Sequence, residues 1–335
     1  MHINTIQKMS FFGALFTLVV IGVGAWVRLT DAGLGCPDWP GCYGLLSTPD
    51  SPDELAYAKN LYPDANIDVS KAFGEMLHRY VAGILGLYVF LISYLSIKYV
   101  KHVSNALPVI LVILIITQSI MGMLTVTELV KPTIVTTHLV LGMLTATLLC
   151  LNGLQLNEGY EVKLYDKPLV IFIILCIFSL LVQIILGGWT STNYASLACT
   201  DFPRCLNQWW PSNMDFNKGF TILNLPDINY EGGVLDYNAK VAIHFSHRLS
   251  AVFLSVLYIG LFSYIFFFQN NKYIKKIGVV CLLIFLIQIF LGIANVVYSL
   301  PISIAVLHTA NAALLLASMV VLLFYSTYNI QKDKI

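Results

Sequence analysis

Residues 26–42 read WVRLTDAGLGCPDWPGC, and residues 189–205 read WTSTNYASLACTDFPRC. Aligned without a gap, at an offset of 163, they share Trp26/Trp189, Cys36/Cys199, Asp38/Asp201, Pro40/Pro203 and Cys42/Cys205. A segment that recurs so far along one chain marks an internal repeat, and a repeat organises the fold before any single element is read. The match continues downstream. His78-Arg79 recurs as His247-Arg248 at an offset of 169, and Gln118, Gly122 and His138 recur as Gln288, Gly292 and His308 at 170. Only connecting lengths separate the copies, so the expected division is 1–160 and 161–335.

The repeated unit is built from apolar runs. Hydrophobic residues make up 58% of the 335 residues and charged residues 11%, with a mean hydropathy of +0.77. No soluble domain of this length has that balance. Runs near 9–27, 76–97, 106–126, 134–155, 169–189, 239–267, 277–297 and 303–326 each suffice to cross a bilayer core of about 20 helical residues. Barrel strands would alternate, and these runs do not, so the expected fold is all-α with eight transmembrane helices. Four spans per copy is an even number, which gives both copies one orientation. Two four-helix bundles related by a pseudo-twofold axis along the membrane normal are expected.

Lysines at 8, 98, 101, 163, 167, 272, 275, 276, 332 and 334 fall in short segments on one side of this topology. The positive-inside rule makes those segments and both termini cytoplasmic, and the long loops 28–73 and 190–238 external. The first span lacks an A-x-A-type cleavage site and reads as a retained helix in a bacterial plasma membrane. A net charge of +1 points away from nucleic acid as a partner.

His78 and His138 lie near the outer ends of the second and fourth spans, and His247 and His308 near those of the sixth and eighth. Two imidazoles from two helices at one depth can clamp a planar iron macrocycle from both faces, so two bis-histidine haems are expected. A lone intramembrane histidine reads equally well as a helix–helix hydrogen bond, but four repeat-matched ones do not. A compact zinc site would add carboxylates or thiolates, and the loop cysteines lie outside the spans. All four arginines, Arg28, Arg79, Arg204 and Arg248, belong to the external side. There their planar forks suit haem propionates, with interfacial snorkelling as the plainer reading.

Of seven cysteines, Cys150, Cys176 and Cys281 fall within spans and read as packing. The other four form two Cys-x5-Cys pairs, Cys36/Cys42 and Cys199/Cys205. An oxidising compartment and an intervening proline turn favour two short disulfides. A redox relay or metal site is the alternative, although neither loop adds a histidine and the spacing is not Cys-x2-Cys. The repeat breaks most informatively at Glu75, one helical turn before His78, where the second copy has His244. A carboxylate in only one copy either pairs with Arg79 or serves chemistry on one macrocycle.

The segments VRLTDAGLGCPDWPGCYG (27–44), EMLHRY (75–80), THLVLG (137–142), HFSHRLSA (244–251) and LHTANA (307–312) together resemble the haem A synthase family over essentially the whole chain. The resemblance implies an oxidoreductase that converts the C8 methyl of haem O to a formyl group, giving haem A for terminal oxidases. It implies that His78 and His138, with Arg79, hold the substrate haem, and that His247 and His308, with Arg248, hold a haem b cofactor. It also implies that Glu75 is catalytic and that the cysteines pair as Cys36–Cys42 and Cys199–Cys205. Haem O is then the substrate partner. A haem O synthase, an electron acceptor, membrane lipid and a second copy of the chain are further partners compatible with the reading. A dihaem b-type electron-transfer cytochrome is the main rival, and haem or lipid transport a third.

Overall fold

The computed structural model describes residues 3–156, 160–162 and 166–330. In chain order the elements are α1 (Ile3–Leu29), α2 (Pro52–Leu61), α3 (Val69–Tyr99), α4 (Ala106–Thr127), α5 (Pro132–Gln155), β1 (Tyr160–Val162), α6 (Lys167–Thr192), α7 (Phe216–Gly219), α8 (Tyr237–Phe268), α9 (Lys272–Val297), α10 (Ile302–Thr327) and β2 (Tyr328–Ile330). All the helices except α2 and α7 are long and apolar enough to cross a membrane, which makes this an all-α, multi-pass membrane protein. The two short strands pair antiparallel, Tyr160 opposite Ile330. Lys163, Lys332 and Lys334 lie outside the described residues.

Each of the eight expected runs falls within one helix, but the helices reach further than their apolar stretch. α3 begins at Val69 instead of near 76, because the Asp68 side chain accepts the N–H groups of Ser70 and Lys71. Asp236 caps α8 in the same manner through Ala239 N–H. A capping carboxylate satisfies backbone donors that hydropathy does not see, so polar turns extend both helices and place His78 deeper along α3. In the first long loop Ser51 and Glu54 form a capping box that starts α2.

α1 packs on α3 and α5, and α4 on the same two helices. α6 packs on α8 and α10, and α9 on the same two. The two sets meet along α1–α10, α5–α6 and α5–α10. Lipid tails are as apolar as leucine, so close approach at small residues and interhelical polar bonds hold such a bundle together. A Cβ on Gly13 would sit 3.2 Å from Ile92 Cδ1, and one on Gly188 would sit 3.0 Å from Thr136 Cγ2 where the sets meet. Deep in the first set the Asn152 amide donates to Ser10 Oγ at 2.9 Å and Ser96 Oγ at 3.4 Å, tying α5 to α1 and α3.

At the end carrying the cysteine loops, Arg28 donates to Ser191 O at 2.7 Å, and the Tyr194 hydroxyl donates to Asp31 Oδ1 at 2.6 Å. Each of these pairs spans 163 residues of sequence. The tight turns into α5 and α10 both take two consecutive residues through positive φ, Leu129 and Val130 in one, Ser299 and Leu300 in the other.

Candidate functional site

Each of the four histidines predicted from the sequence lies against a glycine on a neighbouring helix. A Cβ on Gly24 would come within 2.8 Å of His78 Cε1. The corresponding distances are 3.3 Å from Gly122 to His138, 3.1 Å from Gly187 to His247 and 3.1 Å from Gly292 to His308. Any larger residue would push the imidazole aside, so these glycines set where each ring rests. His78 and His138 lie on α3 and α5 of the first set, and His247 and His308 on α8 and α10 of the second. Among the described residues no group of three or more His, Cys, Asp and Glu side chains converges as a compact metal cage would require. Two imidazoles from two helices could instead bind the iron of a macrocycle.

The surroundings of the two pairs differ. Gln183 Nε2 lies 3.1 Å from His247 Nδ1 and donates to the His247 carbonyl at 3.1 Å. Gln288 Nε2 lies 3.3 Å from both ring nitrogens of His308, and its own Oε1 accepts from Asn311 at 2.8 Å. In the other pair Gln118 Nε2 reaches His138 Nε2 at 3.4 Å and donates to the His138 carbonyl at 3.0 Å. The Nδ1 atoms of His78 and His138 are buried without a hydrogen-bond partner among the described residues.

Just beyond the histidines each cysteine loop is fastened to its helix. Disulfides join Cys36 to Cys42 and Cys199 to Cys205, each with a Cα–Cα separation of 4.8 Å, and all four cysteines are buried. Cys150, Cys176 and Cys281 are free thiols, the latter two buried. Asp38 accepts the N–H groups of Tyr43 and Gly44 within the first loop, and Asp201 those of Leu206 and Asn207 within the second. Burial tends to raise the Asp201 carboxyl, but those N–H donors and Arg248 outweigh it and hold the group below the usual carboxylate range. Burial, then the nearby Glu75 and Asp38 carboxylates, push the Tyr43 hydroxyl upward.

Glu75 is buried, with its Oε2 accepting Cys36 N–H at 2.8 Å and its Oε1 paired with the Arg79 guanidinium. Arg79 also donates to the carbonyls of Pro40 and Gly41. In the second loop His244 stands where Glu75 stands: its Nδ1 lies 3.1 Å from Cys199 N and its Nε2 3.2 Å from Arg248 Nε, and a neutral imidazole accepts from one of the two. Arg248 donates onward to the carbonyls of Cys199, Asp201 and Arg204. The two arginines expected at haem propionates therefore clamp the disulfide loops onto α3 and α8. Arg28 bonds Ser191 O beneath the Tyr194 ring, and Arg204 lies over Trp209.

Sequence reasoning did not single out Gln183, Asn311, Gly24 or Gly187. Gly24 and Gly187 match at the same offset of 163 as the cysteine loops, so the repeat carried that signal. Gln183 and Asn311 carry no such signal, because their counterparts are Val20 and Leu141.

A multi-pass helical bundle with internal histidines beneath disulfide-closed loops is the class of membrane protein that the fold defines. Over residues 7–320 its sequence matches the COX15-CtaA family, described as cytochrome oxidase assembly protein. It is 41% identical to a haem A synthase of Shewanella oneidensis over 93% of each chain. A haem A synthase of Shouchella clausii is 26% identical over 98% of each, and one of Neorickettsia sennetsu is 27% identical over 90% of this chain and 93% of the relative. The chain belongs to the haem A synthase family.

Proposed function

We propose that this protein oxidises the C8 methyl of haem O to a formyl group, producing haem A. The single observation that carries the reading is the inequality of two otherwise matched sites. An ionisable carboxylate, Glu75, stands one helical turn from His78, whereas His244 fills the same place beside His247. Two permanent electron-transfer haems would need no such difference.

In this reading residues 1–160 form the substrate bundle and 161–335 the cofactor bundle. Support for a pseudo-twofold relation comes from the packing pairs, each of which has a counterpart in the other half, and from the Arg28–Ser191 and Asp31–Tyr194 contacts. Residues that touch their own repeat counterparts are those expected beside a twofold axis. His78 and His138 hold the substrate macrocycle from its two faces. Arg79 and Arg248 keep N–H donors beyond those used on the loops, and these are assigned to the propionates of the two macrocycles.

His247 and His308 would hold a resident haem b, imidazoles from two helices being a donor set that suits that group. When bound, it supplies one-electron redox chemistry. Net, R–CH3 and one water give R–CHO, four protons and four electrons, through an alcohol and a gem-diol that loses water, and the electrons pass to an external acceptor that is a partner of the protein. Glu75 accepts the protons released at that carbon, one at a time. Arg79 and the Cys36 N–H hold the carboxylate in place, so no reorganisation is needed as charge develops. The loop closed by Cys36–Cys42 covers this carboxylate and keeps bulk water from it. In this reading the cysteine loops face outward from a bacterial plasma membrane and both termini are cytoplasmic, which the lysine distribution supports.

The test is expression in a host that makes haem O but not haem A, with chromatography of extracted haems. Haem A or its hydroxylated precursor is expected. Absence of both from folded, haem-loaded protein overturns the reading.

A further inference from the structure

The two halves are joined by more than their helices. Residues 226–233, late in the second outer loop, cross to the outer end of the first set and grip it at three points. Tyr230 N–H donates to Leu129 O, in the turn into α5, at 3.1 Å. The Lys131 ammonium, at the N-cap of α5, donates to Asp227 Oδ1 at 2.8 Å. Lys71, in the first turn of α3, lies 3.6 Å from Glu231 Oε1. The segment also holds its own shape. The Tyr230 ring is buried, its hydroxyl donates to Pro226 O at 2.7 Å, and Gly233 N–H donates to Tyr230 O at 3.0 Å. Gly233, at φ +82°, passes so close to Tyr194 that a Cβ there would stand 2.9 Å from Tyr194 Cβ. The strap is therefore anchored on the second half and fastened to the first.

What it fastens is the pair of helices that carry His78 and His138. α1 and α4 each pack on both α3 and α5, so these two stand at opposite corners of the first set. Lys71, Glu75 and His78 follow one another at spacings of four and three, which puts them on one face of α3. Lys131 precedes His138 by seven residues, about two helical turns. The ties thus sit outward of both imidazoles and set how far apart the two helices stand there. The second half has no matching pair of cations, because Lys71 recurs as Lys240 but the counterpart of Lys131 is Pro301. Of the three grips only Tyr230 is deeply held. The Asp227 side chain is 90% exposed, and an ion pair open to water contributes little and is screened by salt. A segment held this way opens at small cost, as an element must that admits a ligand and then closes on it.

We infer that Asp227, Tyr230 and Glu231 are positioning residues, a strap lent by the second half that holds α3 and α5 at the spacing the substrate macrocycle needs and releases them when it enters or leaves. This rests on the assignment of the substrate to the N-terminal half. It gives the second half a part in the reaction beyond holding a cofactor.

The experiment uses the purified full chain with its resident haem and with haem O added in the absence of an electron acceptor. Transfer of each haem to excess apomyoglobin is followed, and chromatography of extracted haems tells the two apart. Asp227→Lys sets a repulsion where the Lys131 pair stood, at a side chain exposed enough that folding is not at stake. Loss of haem O should quicken by about 3- to 10-fold, the size expected when an exposed attraction becomes a repulsion, while loss of the resident haem stays as it was. Adding Lys131→Asp to Asp227→Lys should restore the original rate, which a loop that served only for packing would not do. Salt supplies an opposite sign: it should quicken loss of haem O from the unaltered protein and slow it from Asp227→Lys. Tyr230→Ala, which withdraws the buried ring, should quicken loss furthest. Unchanged loss of haem O in both Asp227→Lys and Tyr230→Ala overturns the inference, as does a combined variant that stays fast. His78→Ala separates the premises: if it removes the resident haem and leaves haem O binding intact, the assignment of halves is wrong and the inference falls with it.

Discussion

Replacing Glu75 distinguishes a carboxylate that does chemistry from one that only anchors a loop, and the choice of replacement decides whether the result can be read. Glu75→Ala strips the partner from Arg79, whose side chain is 12% exposed, and leaves the Cys36 N–H without an acceptor. Breaking a buried ion pair by removing one member costs about 3–5 kcal/mol. An orphaned buried N–H adds roughly 1–3 kcal/mol. Against a total stability of about 5–15 kcal/mol those losses make a fall in activity uninformative. Two other variants lessen this. Glu75→Gln removes the charge and keeps one oxygen, which can accept from either Cys36 N–H or Arg79. Glu75→His installs the residue that lies between Cys199 N–H and Arg248 in the second half. In both, the first disulfide loop and the resident haem spectrum should be preserved. Haem A plus its hydroxylated precursor, measured per resident haem in extracted membranes, should fall by about 10²- to 10⁴-fold, the range for a lost acid–base group. Near-normal product from Glu75→Gln or Glu75→His would show that the carboxylate serves only as a fastening for the loop, as His244 does.

His247→Ala or His308→Ala should abolish the resident haem band, whereas His78→Ala or His138→Ala should leave it and lose product, as read from spectra and haem extracts of the same preparations. Gly187→Ala should perturb the resident haem spectrum, since its Cβ would stand 3.1 Å from His247 Cε1, and Gly24→Ala should depress turnover without that change, its Cβ falling 2.8 Å from His78 Cε1. Arg248→Ala removes three loop-carbonyl bonds and the His244 contact, so thermal unfolding should begin about 2–4 kcal/mol less stable and Cys199–Cys205 should reduce faster under dithiothreitol. Thiol labelling of unfolded protein should count the three free cysteines before reduction and all seven after it.

The fold was largely legible because its signals are one-dimensional. Apolar length gives a span whatever it packs against, and each of the eight runs lies inside a helix of the structure. The start of α3 was not legible, since Asp68 extends the helix through capping bonds that hydropathy does not count. The histidines and cysteines were visible because the sequence prints them twice, at offsets of 163, 169 and 170. Gln183 and Asn311 were hidden for the converse reason: they exist in one copy only, and a search for recurrence passes over what does not recur.

Glu75 marks the line between the two kinds of knowledge. The sequence by itself determined that a membrane bundle of eight spans carries two matched histidine pairs and two cysteine loops, and that Glu75 and His244 occupy one place in the repeat. Only the tertiary structure decided that both side chains lie between the backbone N–H of the first cysteine of a disulfide and the arginine four residues on. It also turned Arg79 and Arg248 onto loop carbonyls 38 to 49 residues away in sequence. Composition and spacing follow from the chain's local chemistry in lipid. Which polar groups meet across helices follows from how the packed bundle closes, and no offset along the chain specifies that.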